Sequence, residues 1–302
     1  MTNKTVHPFK NHQMPLSMRL FFSGMTLVFK VLGATSPKLA GKLALSLFMK
    51  PPKFGTPKRE KILREEADLN FLSIRDRKIS IRSWGDKSNP TVLLSHGWGG
   101  RSTQFHAFIH PLVDAGFHVL AFDIPAHGDS EGTDSNMLDV ASIIAAIEKE
   151  KGPFEAIIGH SFGTGTTLLA MDKYHVKAKK IVLIAYFSDV IWITQLFGEM
   201  FSLRESTLEA MRQEALRQFP DKYGITWTWD GISSVNTIKS ITADILLIHD
   251  DDDTEVPPEQ AIPLQKAAPR ATVINTKGLG HRKILMSKKV IAASIEFIKS
   301  EE

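Results

Sequence analysis

The stretch EAIIGHSFGTG, residues 155–165, changes within a few positions from an apolar run to a series of small residues. The apolar run is typical of a buried strand, and the small residues are typical of a helix packed closely at its start. Ser161 lies at this corner between Gly159 and Gly163, where a Cβ atom would clash with neighbouring strands. A serine there is held in a strained turn that presents its hydroxyl above the helix N-terminus. Ser161 is therefore the candidate nucleophile.

A second segment, residues 128–132 (GDSEG), has the same Gly-x-Ser-x-Gly spacing. It follows the sequence Pro-Ala-His rather than a strand, and it leads into the polar residues GTDSN. This context is typical of a loop and lacks the strand-to-helix corner that the chemistry needs. We therefore interpret Ser130 as a loop residue.

The chain around these motifs alternates short β-rich runs with helical stretches from residue 69 onward. This alternation predicts an α/β fold with a mostly parallel central sheet flanked by helices. A hairpin, 69–74 and 78–84, opens the region. The other predicted strands are 91–97, 118–124, 155–161, 180–188, 244–250 and 271–276. Residues 189–240 break the alternation and form an insertion rich in tryptophan and phenylalanine.

A serine hydroxyl needs a base to become nucleophilic, and the base needs a carboxylate that fixes its tautomer. In a sheet of this kind the order along the chain is serine, acid, histidine, each placed after a strand. The predicted strand 244–250 ends at the first residue of the run Asp250–Asp253, and His281 is the only histidine beyond this run. We therefore expect His281 to be the base and one of these aspartates to be the acid.

The run of aspartates after His249 could instead bind a metal ion, because carboxylate and imidazole groups suit hard or borderline cations. Adjacent positions cannot all point toward one ion, and the sequence offers no second cluster of ligands. We therefore expect no metal and no cofactor.

Taken together, the motifs resemble the α/β-hydrolase superfamily over residues 69–302. The matching segments are HGWGG (96–100), FDIPAHGDSEG (122–132), GHSFGTG (159–165), LLIHDDDDTEVP (246–257) and GLGH (278–281). The resemblance implies an α/β-hydrolase fold with a small helical lid, residues 189–240. The aromatic side chains of this lid would wall an apolar pocket over the nucleophile or form the core of the lid itself.

The resemblance also implies roles for individual residues. Its D-x-x-V-P pattern selects Asp253 as the acid, with Asp189 as the alternative because some members place the acid after the preceding strand. The backbone N–H groups of Trp98 and Phe162 would form the oxyanion hole. The histidines at 96, 127 and 160 would pack around the site without acid–base roles.

The implied function is a serine hydrolase that cleaves a carboxylic ester with an apolar acyl group through an acyl-enzyme intermediate. A small-molecule ester or acyl compound would be its partner. Thioesterase, amidase and C–C hydrolase activities remain open because they use the same triad. A catalytically silent binding protein on the same fold is the alternative from another class.

The amino-acid composition excludes some kinds of chemistry and of binding partner. The chain has 302 residues and no cysteine, which excludes disulfides, thiolate nucleophiles and cysteine-bound zinc. Residues 1–64 hold twelve lysines and arginines but one acid, whereas residues 65–302 carry a net negative charge. The basic character therefore belongs to the N-terminal segment, and we expect no nucleic-acid-binding core.

Residues 1–64 are predicted to form a basic, apolar helical extension with helices at 16–32 and 38–50, ahead of the hydrolase domain 65–302. We expect the pair to pack on the main domain. The alternative is peripheral contact with an anionic membrane, with Phe21, Phe22 and Phe29 below the lysines. We expect a cytoplasmic protein, at most peripheral at the membrane. Lys30 and Pro37 argue against a cleaved signal peptide.

Overall fold

The computed structural model describes residues 16–219 and 222–301. The chain divides into two compact units. The sheet unit comprises residues 51–188 and 232–301, and the helical unit comprises residues 16–50 together with the described part of 189–231. Both units are therefore built from two separate segments of the sequence.

The sheet unit contains an eight-stranded sheet in the order β1-β2-β4-β3-β5-β6-β7-β8. Strands β1, β2 and β4 pair antiparallel, and the pairs from β4–β3 through β7–β8 are parallel. The strands are β1 Asp68–Ile74, β2 Arg77–Trp84, β3 Thr91–Ser95, β4 His118–Phe122, β5 Phe154–His160, β6 Ala178–Ile184, β7 Asp244–Asp250 and β8 Thr272–Thr276. The predicted fold class is confirmed.

Twelve helices accompany the strands in the described part of the chain. They are α1 Leu16–Thr35, α2 Pro37–Phe48, α3 Lys58–Glu66, α4 His106–Asp114, α5 Met137–Lys151, α6 Phe162–Tyr174, α7 Val190–Met200, α8 Glu205–Gln218, α9 Ser234–Thr237, α10 Pro258–Ala267, α11 Gly280–Lys283 and α12 Lys288–Lys299. Of these, α1, α2, α7 and α8 belong to the helical unit.

Local chemistry explains where the strands end. Arg75 and Asp76 both have positive φ, which is the backbone of the two-residue turn that joins twisted antiparallel strands. Strand β6 ends at Ile184 rather than at the predicted residue 188, because Ala185 takes a φ of 53° that no strand can continue.

The interior strands are buried on both faces, as their continuous apolar sequences predict. Parallel strands bring their carboxyl ends to one edge of the sheet. The segments after β3, β4, β5, β7 and β8 carry the motifs found in the sequence, and the fold collects those segments at this edge.

In the helical unit, the N-terminal helices pack against the insertion that follows β6. The ring of Phe201 lies 5.4 Å from that of Phe22 and 5.7 Å from that of Phe29. A Cβ atom on Gly41 would lie 2.7 Å from the backbone of Ala210, so a larger residue there would push α2 and α8 apart. Small residues thus allow close helix packing.

The structure places the end of the N-terminal segment differently from the expected boundary at residue 64. The helical unit includes the chain only up to Lys50, and residues 51–66 belong to the sheet unit. There Leu63 is buried in the hydrophobic core, and its carbonyl accepts a hydrogen bond from Trp84 Nε1 at 3.0 Å.

Candidate active site

Ser161 lies in the sharp turn between β5 and α6. Its φ is 52°, a value that non-glycine residues rarely adopt, and its backbone N–H donates to the carbonyl of Ile184 at 3.0 Å. A Cβ on Gly163 would lie 2.0 Å from the carbonyl oxygen of Ser95, and one on Gly159 would lie 2.8 Å from Gly163 O. The glycines are therefore required for close packing of the turn against β3 and α6.

Ser130 has a different environment. Its hydroxyl donates to the carbonyl of Asp123 at 2.5 Å and accepts from the Ser80 N–H at 2.8 Å. These bonds tie the loop after β4 to β2. The hydroxyl of Ser130 is therefore occupied in holding a loop.

Asp253 and His281 lie side by side and are both buried. The Nδ1 of His281 is 2.8 Å from Oδ2 of Asp253, and the other carboxylate oxygen accepts from the N–H groups of Glu255 and Val256 at 2.9 Å each. The carboxylate is thus fixed by its own loop before it meets the imidazole. Asp189, the alternative acid, accepts from the N–H of Ile191 and caps α7.

The residue next to Ser161, His160, is bonded to the backbone of His281. Within the described chain the Ser161 hydroxyl makes no hydrogen bond, whereas Nε2 of His160 lies 2.9 Å from the backbone carbonyl of His281. A catalytic serine–histidine bond is often long or poorly aligned without substrate. The structure thus pairs His281 with Asp253 and ties the His281 backbone to the residue beside the serine.

Asp250 is a further residue at this site, and the motif pattern, which selected Asp253, assigned it no role. Its carboxylate accepts from the N–H groups of Gly280 at 2.8 Å and Leu279 at 3.1 Å, and from the hydroxyl of Thr276 at 2.7 Å. Burial raises the pKa of Asp250, but these hydrogen bonds outweigh it and bring the pKa below its usual value. Asp250 therefore fixes the loop that carries His281.

The loop after β3, residues 96–101, is held by hydrogen bonds that do not use the N–H of Trp98. Gly97 N–H donates to Oε1 of Gln104 and Gly99 N–H donates to Nε2 of His127, both at 2.9 Å. No residue in the described ranges accepts from the N–H of Trp98 or of Phe162, the two predicted oxyanion donors. Their aromatic rings pack edge to face with centroids 5.1 Å apart.

The histidines at 96, 127 and 160 connect the loops of this edge. Nε2 of His96 accepts from the Ile124 N–H and Nε2 of His127 accepts from the Gly99 N–H, so both rings must be neutral. Burial lowers the pKa of His96 to about 3, and it also lowers the pKa of His127. Burial, with the nearby His281, lowers the pKa of His160 well below its usual value.

The aspartate run does not form a metal centre in the described residues, which contain no group of three or more His, Asp or Glu side chains arranged to hold an ion. Its members instead accept hydrogen bonds from their own loop and from the His281 loop. The arrangement is suited to acid–base work on a serine.

Two tryptophans of the insertion, Trp227 and Trp229, pack within the helical unit itself. Nε1 of Trp227 donates to the carbonyl of Phe219 at 3.3 Å, and Nε1 of Trp229 donates to the carbonyl of Arg212 at 3.2 Å. The two indole rings pack 5.3 Å apart. These side chains are therefore part of the core of that unit.

Known proteins with similar sequences include a protein family and several lipases or related proteins. Residues 92–293 match the model of the alpha/beta hydrolase family. A lysophosphatidylserine lipase, ABHD12 of Danio rerio, is 23% identical over 302 residues, covering 87% of this chain and 74% of that protein. Protein ABHD12B of Homo sapiens is 25% identical over 70% of this chain, and the chain spans 61% of that relative's length.

Solved structures of low sequence identity share the fold. A bacterial membrane phospholipase A is 17% identical with a TM-score of 0.60, covering 94% of this chain and 100% of that one. A thioesterase domain from the curacin biosynthetic pathway is 22% identical with a TM-score of 0.57, covering 78% and 99%. With the family model matched over two thirds of the sequence, this chain belongs to the alpha/beta hydrolase family.

Proposed function

We propose that this protein is a serine hydrolase that cleaves a carboxylic ester with an apolar acyl group through an acyl-enzyme intermediate. Ser161 attacks the ester carbonyl while His281 takes its proton and then passes it to the leaving alcohol. Asp253 orients His281 and stabilises the imidazolium. The N–H groups of Trp98 and Phe162 bind the oxyanion. Water then hydrolyses the acyl-enzyme by the same proton route.

One observation supports this proposal most strongly. The carboxylate of Asp253 lies 2.8 Å from Nδ1 of His281, which leaves Nε2 as the nitrogen able to accept a proton. The same histidine backbone is bonded to His160, next to a serine in a strained turn. A catalytically silent binding protein would need neither the pairing of Asp253 with His281 nor the strained backbone of Ser161.

The preference for an ester with an apolar acyl group rests on two further points. The rings of Trp98 and Phe162 place half-buried apolar surface beside the proposed oxyanion donors. Among the relatives are the zebrafish lysophosphatidylserine lipase and an Acinetobacter calcoaceticus bifunctional esterase/perhydrolase, 29% identical over 39% of this chain. Thioesterase, amidase and C–C hydrolase chemistry would use the same groups.

Labelling with a fluorophosphonate tests the mechanism, because this reagent phosphonylates activated serines. We expect the wild-type protein and Ser130→Ala to be labelled and Ser161→Ala to remain unlabelled. An unlabelled wild-type protein would favour the silent binding protein instead. Comparing kcat/KM for an ester, a thioester and an amide with the same acyl group would then identify the reaction class.

We also propose a membrane surface as a partner, through the exposed side of α1. This helix has the length and composition of a membrane-spanning segment. Its inner side, with Phe22 and Phe29, packs on Phe201, so only Phe21 of the three predicted phenylalanines is exposed. The outer side is apolar, with exposures of 44% to 68% at Leu16, Leu20, Phe21, Leu27, Val28 and Val31.

Charge favours an anionic surface over a neutral one. The first acidic residue of the chain is Glu60, whereas Arg19 and Lys30 lie exposed on α1 and Lys38 and Lys42 lie exposed on α2. Each basic residue near an anionic leaflet contributes about 1 kcal/mol to binding. A helix with one face packed on protein and the other face apolar would lie in the plane of the interface rather than cross it. The proposed location is therefore peripheral, at the surface of a membrane.

Sedimentation with vesicles tests this contact. We expect binding to rise with the fraction of anionic lipid and to weaken at high salt. Leu20→Glu with Leu27→Glu should abolish binding, whereas Ile262→Glu, at an exposed apolar position of α10, should have no effect. Equal binding of the wild-type protein to neutral and anionic vesicles would contradict the role of charge.

A further inference from the structure

Residues 51–66, which we call the strap, lie against the loop that carries the proposed oxyanion donor Trp98. A Cβ placed on Gly99 would lie 3.1 Å from Cγ of Pro52 and 3.3 Å from Cε2 of Phe54, so both rings lie close to the Gly99 backbone. The Gly99 φ of 72° is one that side chains rarely adopt. The strap therefore covers a turn of the loop at which the backbone conformation requires glycine.

Arg101 binds the strap to this loop. It follows HGWGG directly, is 7% exposed, and donates from Nη1 to the carbonyl of Gly55 at 3.0 Å and from Nη2 to the carbonyl of Phe54 at 2.9 Å. Nη1 also lies 3.6 Å from Oε2 of Glu60. A planar guanidinium that bonds two successive carbonyls fixes both the position and the direction of the strap backbone.

The remaining contacts hold the strap in place along its length. Glu60 is buried and accepts from the hydroxyl of Thr103 at 2.8 Å. The same carboxylate oxygen faces the guanidinium of Arg101, so both residues stabilise its negative charge. Farther along, Arg64 forms an ion pair with Asp129 at 2.5 Å. The strap is thus anchored to the loops that follow β3 and β4.

We propose that Arg101 is a positioning residue of the active site, and that it works by clamping the strap onto residues 96–101. The inference rests on the proposed function, since the group it positions is the Trp98 N–H. An oxyanion donor must be held at the place where charge develops, and small displacements there slow the reaction. The clamp acts on the transition state more than on substrate binding, because the ground-state carbonyl makes weaker demands on the donor.

Kinetics of the full-length protein test this role. Arg101→Gln should lower kcat for a short-chain p-nitrophenyl ester on the order of 10-fold while KM changes little. The affinity for an alkyl boronic acid, which forms a tetrahedral anion on the serine, should fall by a similar factor. Arg101→Lys should recover only part of the loss, because an ammonium cannot bond both carbonyls in one plane. Arg59→Gln removes an exposed charge from the strap and should behave as wild type.

Phe54→Ala keeps the inference testable if Arg101→Gln does not fold, because this ring is 60% exposed and its removal leaves the core intact. It should lower kcat several-fold and increase deuterium uptake in residues 96–105. Arg101→Gln or Phe54→Ala with wild-type kcat and boronate affinity would overturn the inference alone. A wild-type protein that does not react with the fluorophosphonate would overturn the proposed function and this inference with it.

Discussion

Ser161 and Ser130 each lie between two glycines in the same five-residue spacing, but their backbones and hydroxyls are used differently. Ser161 has a positive φ and a hydroxyl without a hydrogen bond in the described chain, whereas the Ser130 hydroxyl bonds Asp123 and Ser80. The free hydroxyl follows a parallel strand and precedes a helix, and the bonded one lies in a loop. The secondary structure around the motif, rather than the motif itself, therefore determines which serine is available to react.

The largest effect should come from the proposed nucleophile and base. We expect Ser161→Ala and His281→Ala each to lower kcat on the order of 10⁶-fold, as in serine hydrolases where such residues act as a unit. Ester hydrolysis by purified variants with wild-type circular dichroism checks this. If folded Ser161→Ala retains turnover while Ser130→Ala loses it, the comparison is reversed.

The acid should have the next largest effect. Asp253→Asn should lower kcat on the order of 10⁴-fold, because an amide cannot hold His281 in the required tautomer. Asp189→Asn should leave kcat close to wild type, with a small loss of stability from the weakened cap of α7. The opposite ranking of these two kcat values would assign the acid to Asp189.

Asp250 tests how far the proposed base depends on the loop that carries it. Asp250→Asn keeps the size of the side chain but replaces one of its two acceptor oxygens with an NH₂ donor, so the N–H groups of Leu279 and Gly280 can no longer both be accepted. We expect kcat to fall roughly 10- to 100-fold because the His281 loop shifts. The exposed Asp251→Asn is the matched control and should be neutral. Equal kcat values for the two variants would show that the loop needs no such support.

Each serine motif has a buried histidine, His160 within the first motif and His127 directly before the second, and this predicts a pH dependence of stability. The pKa values of both residues, and that of His96, are lowered in the folded protein. The unfolded chain therefore binds protons that the folded chain does not, beginning near the usual histidine pKa of about 6.5.

We therefore expect the free energy of unfolding to fall as the pH is lowered from about 7.5 to 5.5, by up to about 1.4 kcal/mol per pH unit for each such histidine. Urea unfolding at the two pH values measures the change. His96→Gln should reduce the difference between them. An unfolding free energy that is equal at both pH values would contradict the neutral state of these rings.

The smallest effect should be that of Ser130→Ala. This variant leaves the Ser80 N–H without its acceptor and should lower stability by about 1 to 2 kcal/mol. Its kcat should stay within a few-fold of wild type. Thermal melting together with the ester assay separates the two quantities.

The features that could be predicted from the sequence are those that depend on residues close together along the chain. Apolar runs bounded by polar residues gave the strands, and the positions of Ser161, Asp253 and His281 relative to those strands gave the candidate triad. Arg101 and its bonds to Phe54 and Gly55 could not be predicted, because they join residues distant in sequence and have no periodicity.

The packing partner of the N-terminal helices could not be predicted either, because it too is distant in sequence. Their composition indicated apolar helices, but composition does not specify which surface covers them. The described structure pairs α2 with α8 through the close approach of Gly41 to Ala210. A glycine in a helix has many possible roles, so this contact becomes visible only in three dimensions.

The assembly of the helical unit from two distant segments has a consequence for synthesis on the ribosome. Helices α1 and α2 are translated before β1, while α7 and α8 are translated only after β6. At bacterial or eukaryotic elongation rates this delay is roughly 10 to 40 s, far longer than a helix needs to form. Throughout that time the apolar sides of α1 that later contact Phe201 have no folded partner. The nascent chain therefore exposes α1 to chaperones and membranes before it can meet α8.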